Sequence, residues 1–579
     1  MKYTGARILI ECLAEQGVDT VFGYPGSAVL EIYDELHKHR DRIRHILVSH
    51  EQHAAHAADG YARSSGKTGV CIATSGPGAT NLITGIAAAY MDSVPMVAIT
   101  GNVPTGLLGK DSFQEVDIAG ISMPIVKHNW IVKDVNNLAE VIREAFIVAS
   151  TGRAGPVLID IPRNVAALSA EWMPLGRNAK KKNADKEFIS ERAKRLMERN
   201  ARPTFTDEDI ETAASLLLNA KRPLIYAGGG VISANASAEL CALAEHLNAP
   251  VALSLMGLGA IPRDHRLCTG LIGMHGTVAS NKAAQKADLL LAIGARFSDR
   301  VTSRADMFAK TAKVIHFDID PAEINKNIET HSYVIGNVKE TISRLLSKLP
   351  VVKENEWTDE IKKWKTQNIK TQIQKTTRNE TALKPRFVIE ETAKMLGPQA
   401  IAVTDVGQHQ IWTAQFFPIA RPRSFISSGG LGAMGFGLGA AWGAKLANPR
   451  RPVVLFTGDG AFKMNSIEMA TLSAYKIPVL IVVFHNGVLG MVRQWQKFFQ
   501  DGRCSETALS AFPDFVKLAD AYSIAGFKAA DKNSFLTALE SAAKELAAGR
   551  SALIEASIDP EENVLPMVPS GKPIDEQIL

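Results

Sequence analysis

Between Val453 and Met491 the chain reads VVLFTGDGAFKMNSIEMATLSAYKIPVLIVVFHNGVLGM, and no other stretch restricts the possible folds so strongly. A buried apolar run ends in Gly458-Asp459-Gly460, a helix is expected to begin near Asn465, and a second apolar run ends in His485-Asn486. Two such runs joined by one helix make a βαβ unit with adjacent parallel strands. Asp459 and Asn486 then leave the carboxyl ends of neighbouring strands and converge on one point. One carboxylate, one amide oxygen and one backbone carbonyl leave places for two phosphate oxygens and a water around a hard cation such as Mg²⁺. The glycines admit backbone amides to the phosphates, and the helix N-terminus favours the anion. A lone Gly-Asp-Gly would be an ordinary turn; the combination with the second strand and its Asn is what points to a site.

The same alternation of β-rich runs and amphipathic helical patterns recurs in three segments, which predicts an α/β chain of three doubly wound, mainly parallel-sheet domains. Expected strands are Thr20–Gly23, His45–Ser49, Gly69–Thr74, Met96–Gly101 and Val157–Ile161 in the first. The second holds Leu224–Ala227, Val251–Leu253, Leu289–Ile293 and Val314–Asp318, and the third Ala400–Asp405, Val453–Thr457, Val479–Phe484 and Ala552–Ala556. Helical patterns cover Glu51–Gly66 and Gly78–Asp92. The division reads as domains 1–165, 207–349 and 385–579, joined by linkers 166–206 and 350–384, with a Pro-rich arm at 559–579. In the second linker Trp357, Ile361 and Trp364 recur at helical spacing, the pattern of a helix docking on a neighbouring domain. The first and third segments are similarly organised, as distant copies of one unit would be.

At 579 residues the chain exceeds what one core supports. The net charge of +5 is local: ten Lys/Arg stand against four Asp/Glu from Arg177 to Arg202. They lack interleaved aromatics, so a solvated linker is expected and not a nucleic-acid surface. The apolar runs are too short for a membrane span, and no signal-peptide core opens the chain. A cytoplasmic protein is expected, with Cys12, Cys71, Cys241, Cys268 and Cys504 as buried free thiols.

The 453–491 pattern resembles the signature of thiamine-diphosphate enzymes. The resemblance implies Asp459, Asn486 and the backbone carbonyl of Val488 as Mg²⁺ ligands, with Gly458, Gly460 and Ala461 beside the diphosphate. Where that family has Asn-Asn this chain has His485-Asn486; the second position keeps the ligand, and His485 is not counted as one. The family also requires a glutamate beside N1′ of the aminopyrimidine, in an apolar pocket where it shares a proton. Glu51 stands where a strand gives way to a helix with a small-residue face, Ala54, Ala55, Ala57, Ala58 and Gly60. Alone it would be an ordinary helix-start acid. The turn Thr74-Ser75-Gly76-Pro77-Gly78, which the family places near the pyrimidine, favours catalysis. The first domain is thereby a pyrimidine-binding unit and the third a diphosphate/Mg²⁺-binding unit. The family joins the two between subunits, implying a homodimer, or a tetramer built from it.

Further strings resemble acetohydroxyacid synthase (acetolactate synthase) large subunits within that family. Pro25-Gly26 lies in its first active-site loop, and Phe113-Gln114 in a loop reaching the site. Val406-Gly407-Gln408-His409, Gly432, Met434 and Met491 match loops around the diphosphate and thiazolium, with Met434 supporting the bent cofactor. Trp495 matches a wall against the second oxoacid that favours 2-oxobutanoate, and 564–569 a covering arm. In the middle domain, Gly-rich turns and an acidic strand end suit an adenine dinucleotide. The resemblance makes this ligand a structural FAD contacted by Arg153, Gly228, Gly229, Leu255, Met256, Gly273, His275, Arg296 and Asp318. Arg300 is implied to steer the second substrate's carboxylate, as a bidentate donor suits. Ser298 and Asn337 replace acids common in the family and point to weaker FAD binding. The implied activity is decarboxylation of pyruvate and condensation of the fragment with pyruvate or 2-oxobutanoate, with or without a separate small regulatory subunit. Rival readings are a catabolic, FAD-independent acetolactate synthase, a pyruvate oxidase-like enzyme and an inactive nucleotide-binding homologue.

Overall fold

The computed structural model describes residues 1–174, 190–201, 204–351, 356–375, 383–509, 511 and 513–579. Much of the basic stretch, 175–189 and 202–203, and residues 352–355 and 376–382 of the second linker lie outside the described residues. Among those described, three parallel six-stranded sheets carry the fold. The first runs in space Arg44–Leu47, Thr20–Tyr24, Gly69–Ala73, Met96–Asn102, Pro156–Pro162, Asn129–Ile131. The third runs Phe425–Ile426, Ile401–Thr404, Val453–Gly458, Leu480–His485, Ala552–Ser557, Ala525–Ala529. Numbered along the chain within each sheet, both orders are 2-1-3-4-6-5, so the two domains share one topology. The middle sheet runs Cys268–Leu271, Val251–Leu253, Pro223–Ala227, Leu289–Ile293, Lys313–Asp318, Ser332–Ile335. Its order, 3-2-1-4-5-6, is that of dinucleotide-binding sheets.

The first and third domains share one hydrophobic core, in which Phe22 and Trp442 meet edge to face at 5.2 Å. The helices Glu51–Ser65 and Gly437–Ala447 cross through small residues: a Cβ at Gly60 would strike the Ala440 backbone, and one at Gly443 that of Ala57. The alanine-rich face after Glu51 therefore serves close helix packing. The Trp357–Trp364 stripe docks on the middle domain, where Trp357 Nε1 donates to the Pro223 carbonyl at 3.0 Å. The terminal stretch packs Val568 and Ile574 into that same core.

Several expectations are corrected. The helix after Gly458 spans Asp459–Asn465 and so begins six residues before the expected start. The 78–92 pattern is two helices, Pro77–Asn81 and Ile83–Met91, with Leu82 between them. The strand before Glu51 ends at Leu47, not Ser49. Within 166–206, Ser169–Glu171 pairs antiparallel with Lys2–Thr4, and Glu191–Ala201 is helical. Cys504 is exposed and Cys241 half-buried; the other three thiols are buried. No helix among the described residues is long and apolar enough to cross a membrane.

Candidate active site

In each sheet most candidate residues lie on loops after the carboxyl ends of the strands, around the point where the strand order reverses, between strand 1 and the neighbour on its far side. This is where ligands bind in open α/β sheets. In the third domain that point lies between Ile401–Thr404 and Val453–Gly458. Asp459 Oδ2 accepts the backbone amides of Asn486 at 3.0 Å and Gly487 at 2.8 Å, and Oδ1 accepts that of Gly460 at 2.7 Å. The Asp459 side chain thus pins the end of the next strand, and Asn486 Oδ1 in turn accepts the Val488 amide at 3.2 Å. Burial pushes the Asp459 carboxyl up, and these amides draw it back. Among the described residues no three His, Cys, Asp or Glu side chains converge on a metal position. The donors at hand are a carboxylate, an amide and carbonyls, which suit a hard cation.

The loop 406–409 supplies the facing wall. Gln408 Oε1 and His409 Nε2 are buried without a partner among the described residues, as groups awaiting a polar ligand are. Burial pushes the His409 imidazole down to about 3. A Cβ at Gly490 would run into Gln408 Oε1 and stand 3.1 Å from Asn486 Nδ2, so only glycine lets the backbone pass there. Gly458 lies against the His409 ring, and Gly460 approaches the Met434 methyl. Ala461 is buried in the first turn of the helix that Asp459 begins. These residues fit a diphosphate held through a divalent cation. His485 is engaged by Glu555: its Nδ1 lies 2.9 Å from Glu555 Oε1, and that hydrogen bond, with the nearby Asp459 charge, raises its pKa.

A second group forms in the first domain. Glu51 is 9% exposed, and Asn81 Nδ2 donates to its Oε2 at 2.9 Å. A Cβ at Gly78 would sit 3.2 Å from Glu51 Oε1. Thr74 Oγ1 accepts the Ala28 amide at 3.3 Å and packs on Gly26, which follows Pro25 in the neighbouring loop. Gln114, at φ +59°, lies against the Gly76 turn, and Phe113 is 87% exposed.

A cavity of 1540 Å³, larger than a drug-sized ligand needs, lies between the middle and third domains with first-domain residues 91–93 and 150–154 along one side. Of the candidates for the dinucleotide, first-domain Arg153 and middle-domain Gly229, Leu255, Met256, His275, Arg296 and Asp318 line it, as does Arg300. Gly228 and Gly273 do not; they pack beneath, against Gly294 and the Arg300 backbone. Ser298 and Asn337 line it too. Arg153 is already engaged by Asp320 and Glu323, at 3.2 and 2.7 Å. Burial pushes His275 down to about 4, and its Nδ1 lies 3.1 Å from the Pro566 carbonyl of the terminal arm. From the third domain Val406, Gly407, Gly432, Met434, Met491 and Trp495 complete the wall. Glu51, Gly26, Thr74, Phe113 and Gln114 are absent from this lining, and so are Gln408, His409, Asp459, Asn486 and Val488.

Two buried acids escaped sequence reasoning. Asp405 accepts the amides of Val406, Gly435 and Gly437 and the Asn465 side chain, at 2.8–3.2 Å. Burial pushes it up to about 6, against these donors. Its only signal was its place at the end of an apolar strand, before a glycine loop. Glu468 stood inside a helical pattern with no signal at all.

The fold and these loops are those of thiamine pyrophosphate enzymes. The family description "Thiamine pyrophosphate enzyme, N-terminal TPP binding domain" matches residues 3–121, the central domain of that family matches 210–345, and its C-terminal TPP binding domain matches 405–556. The chain is 44% identical over 578 residues to a probable acetolactate synthase large subunit of Methanocaldococcus jannaschii, covering 98% of this chain and 94% of the relative. It is 42% identical over 588 residues to the acetolactate synthase large subunit of Haemophilus influenzae, and 41% identical over 583 residues to the acetolactate synthase isozyme 3 large subunit of Escherichia coli. Each match covers 100% of this chain and 98% of the relative. The chain belongs to the acetolactate synthase large-subunit family of thiamine pyrophosphate enzymes.

Proposed function

We propose that this chain decarboxylates pyruvate and joins the two-carbon fragment to a second pyruvate or to 2-oxobutanoate, releasing 2-acetolactate or 2-aceto-2-hydroxybutanoate. The observation that carries this reading is the Asp459 carboxylate clasping the amides of Asn486 and Gly487 at the carboxyl ends of two adjacent parallel strands of a thiamine pyrophosphate-type sheet. Bound thiamine diphosphate supplies the carbon nucleophile and the electron sink. Asp459, Asn486 and the Val488 carbonyl hold Mg²⁺ and, through it, the diphosphate. Glu51, oriented by Asn81, shares a proton at N1′ of the aminopyrimidine. Arg300 pairs with the carboxylate of the incoming oxoacid, and Trp495 bounds its side chain. FAD as a structural ligand is supported by the 3-2-1-4-5-6 sheet order and by the size of the cavity.

Phe113, 87% exposed and next to the Gln114 that lies against the Gly76 turn, favours a homodimer in which the first domain of one chain completes the site of the other. The relatives are named large subunits, which supports a separate small regulatory partner. A cytoplasmic location accords with this reading. The test is acetolactate formation from pyruvate by purified protein, with thiamine diphosphate or Mg²⁺ withheld in turn. Formation that ceases without either is expected; formation unaffected by thiamine diphosphate removal contradicts the proposal.

A further inference from the structure

The strand Arg44–Leu47 and the helix Glu51–Ser65 are joined by three residues whose backbone leaves its own sheet. Val48 still donates to the Gly23 carbonyl at 3.2 Å, but the amides on either side are taken by the third domain of the same chain. Leu47 donates to the Tyr475 hydroxyl at 2.9 Å. Ser49 and His50 both donate to Glu468 Oε1, at 2.9 and 3.1 Å. Glu468 is wholly buried and closes the turn Ser466–Glu468 that follows the helix of the metal candidate Asp459. Its other oxygen accepts the Thr471 hydroxyl at 2.6 Å.

We propose that Glu468 is a positioning residue for Glu51: one third-domain carboxyl oxygen holds the two amides immediately before the catalytic acid and fixes where its helix starts. The side chain of Glu51 is held from the other direction by Asn81 at 2.9 Å, so backbone and carboxyl are restrained independently. Burying a carboxyl is costly unless its bonds are made, and burial pushes Glu468 up to about 7. A neutral carboxyl there still accepts both amides on one oxygen and donates from the other to Thr471. That arrangement is one a glutamine amide reproduces and an alanine cannot.

The proposal rests on the reading of Glu51 as the acid beside N1′. Two measurements test it on the full-length protein. In cofactor-free protein, backbone amide hydrogen–deuterium exchange of Ser49 and His50 should accelerate in Glu468→Ala and return toward wild type in Glu468→Gln. With saturating thiamine diphosphate and Mg²⁺, proton–deuterium exchange at the cofactor's C2 should slow by up to about 100-fold in Glu468→Ala, the scale of an ångström-size misplacement, and recover in Glu468→Gln with cofactor affinity little changed. If the alanine variant does not fold, Glu468→Asp, which keeps the carboxyl but withdraws it by one methylene, should show the same slowing. Wild-type C2 exchange in the folded Glu468 variants, with Glu51→Gln slow, overturns the positioning role alone. Wild-type C2 exchange in Glu51→Gln overturns the reading beneath it, and this inference with it.

Discussion

The Arg300 guanidinium, from the middle domain, lies 5.8 Å from the centre of the Trp495 ring in the third. Both line the shared cavity, so a cation and an aromatic wall meet where the two domains face each other. A 2-oxoacid offers a carboxylate to the first and an alkyl group to the second.

Trp495→Leu should therefore change the choice of second substrate more than decarboxylation of the first, which precedes it. An apolar wall discriminates one methylene by about 1–3 kcal/mol, so the preference for 2-oxobutanoate should fall by about one to two orders of magnitude. Competition between pyruvate and 2-oxobutanoate measures this. An unchanged product ratio with collapsed turnover assigns Trp495 to structure alone.

Asp459→Ala should remove the charged member of the metal set and also release the amides of Asn486 and Gly487. Calorimetric titration should show weakened thiamine diphosphate binding and loss of its Mg²⁺ dependence. Unchanged affinity for both places the metal elsewhere.

Purified protein should bind FAD without net flavin turnover. Anaerobic mixing with pyruvate, followed at the flavin absorbance, should leave the flavin oxidised. Stoichiometric bleaching favours the oxidase reading, and full acetolactate synthesis by flavin-free protein favours the catabolic one.

Asp405→Ala should strand three backbone amides and the Asn465 side chain inside the third domain. Each buried unsatisfied group costs about 1–3 kcal/mol, so thermal unfolding should shift well downward and cofactor affinity fall with it. A wild-type melting temperature contradicts this account of Asp405.

What the sequence made legible follows from chain connectivity. A βαβ unit has few ways to close, so the loops carrying Asp459 and Asn486 had to be neighbours, and Asp459 accepts the backbone amides of Asn486 and Gly487 at 3.0 and 2.8 Å. The long apolar strands announced themselves for the same reason. Phe425–Ile426 is too short to carry a pattern, and Ala525–Ala529 is an edge strand whose Gly526 and Lys528 break the apolar run. The helix at Asp459 was placed late because Gly458 and Gly460 read as loop, although here they sit at the helix entrance. Asp405 and Glu468 were hidden because their meaning is tertiary: Glu468 acts on amides 418 and 419 positions away, and no local window contains both.

Glu51 of one chain and Asp459 of another are proposed to serve a single thiamine-diphosphate site. The most direct test is to combine Glu51→Gln and Asp459→Ala proteins, each inactive alone, under conditions that exchange subunits, and to measure acetolactate from pyruvate. A mixed dimer would hold one site with both residues intact, so the mixture should regain activity that neither variant has. A mixture as inactive as its components, with subunit exchange verified, contradicts the account.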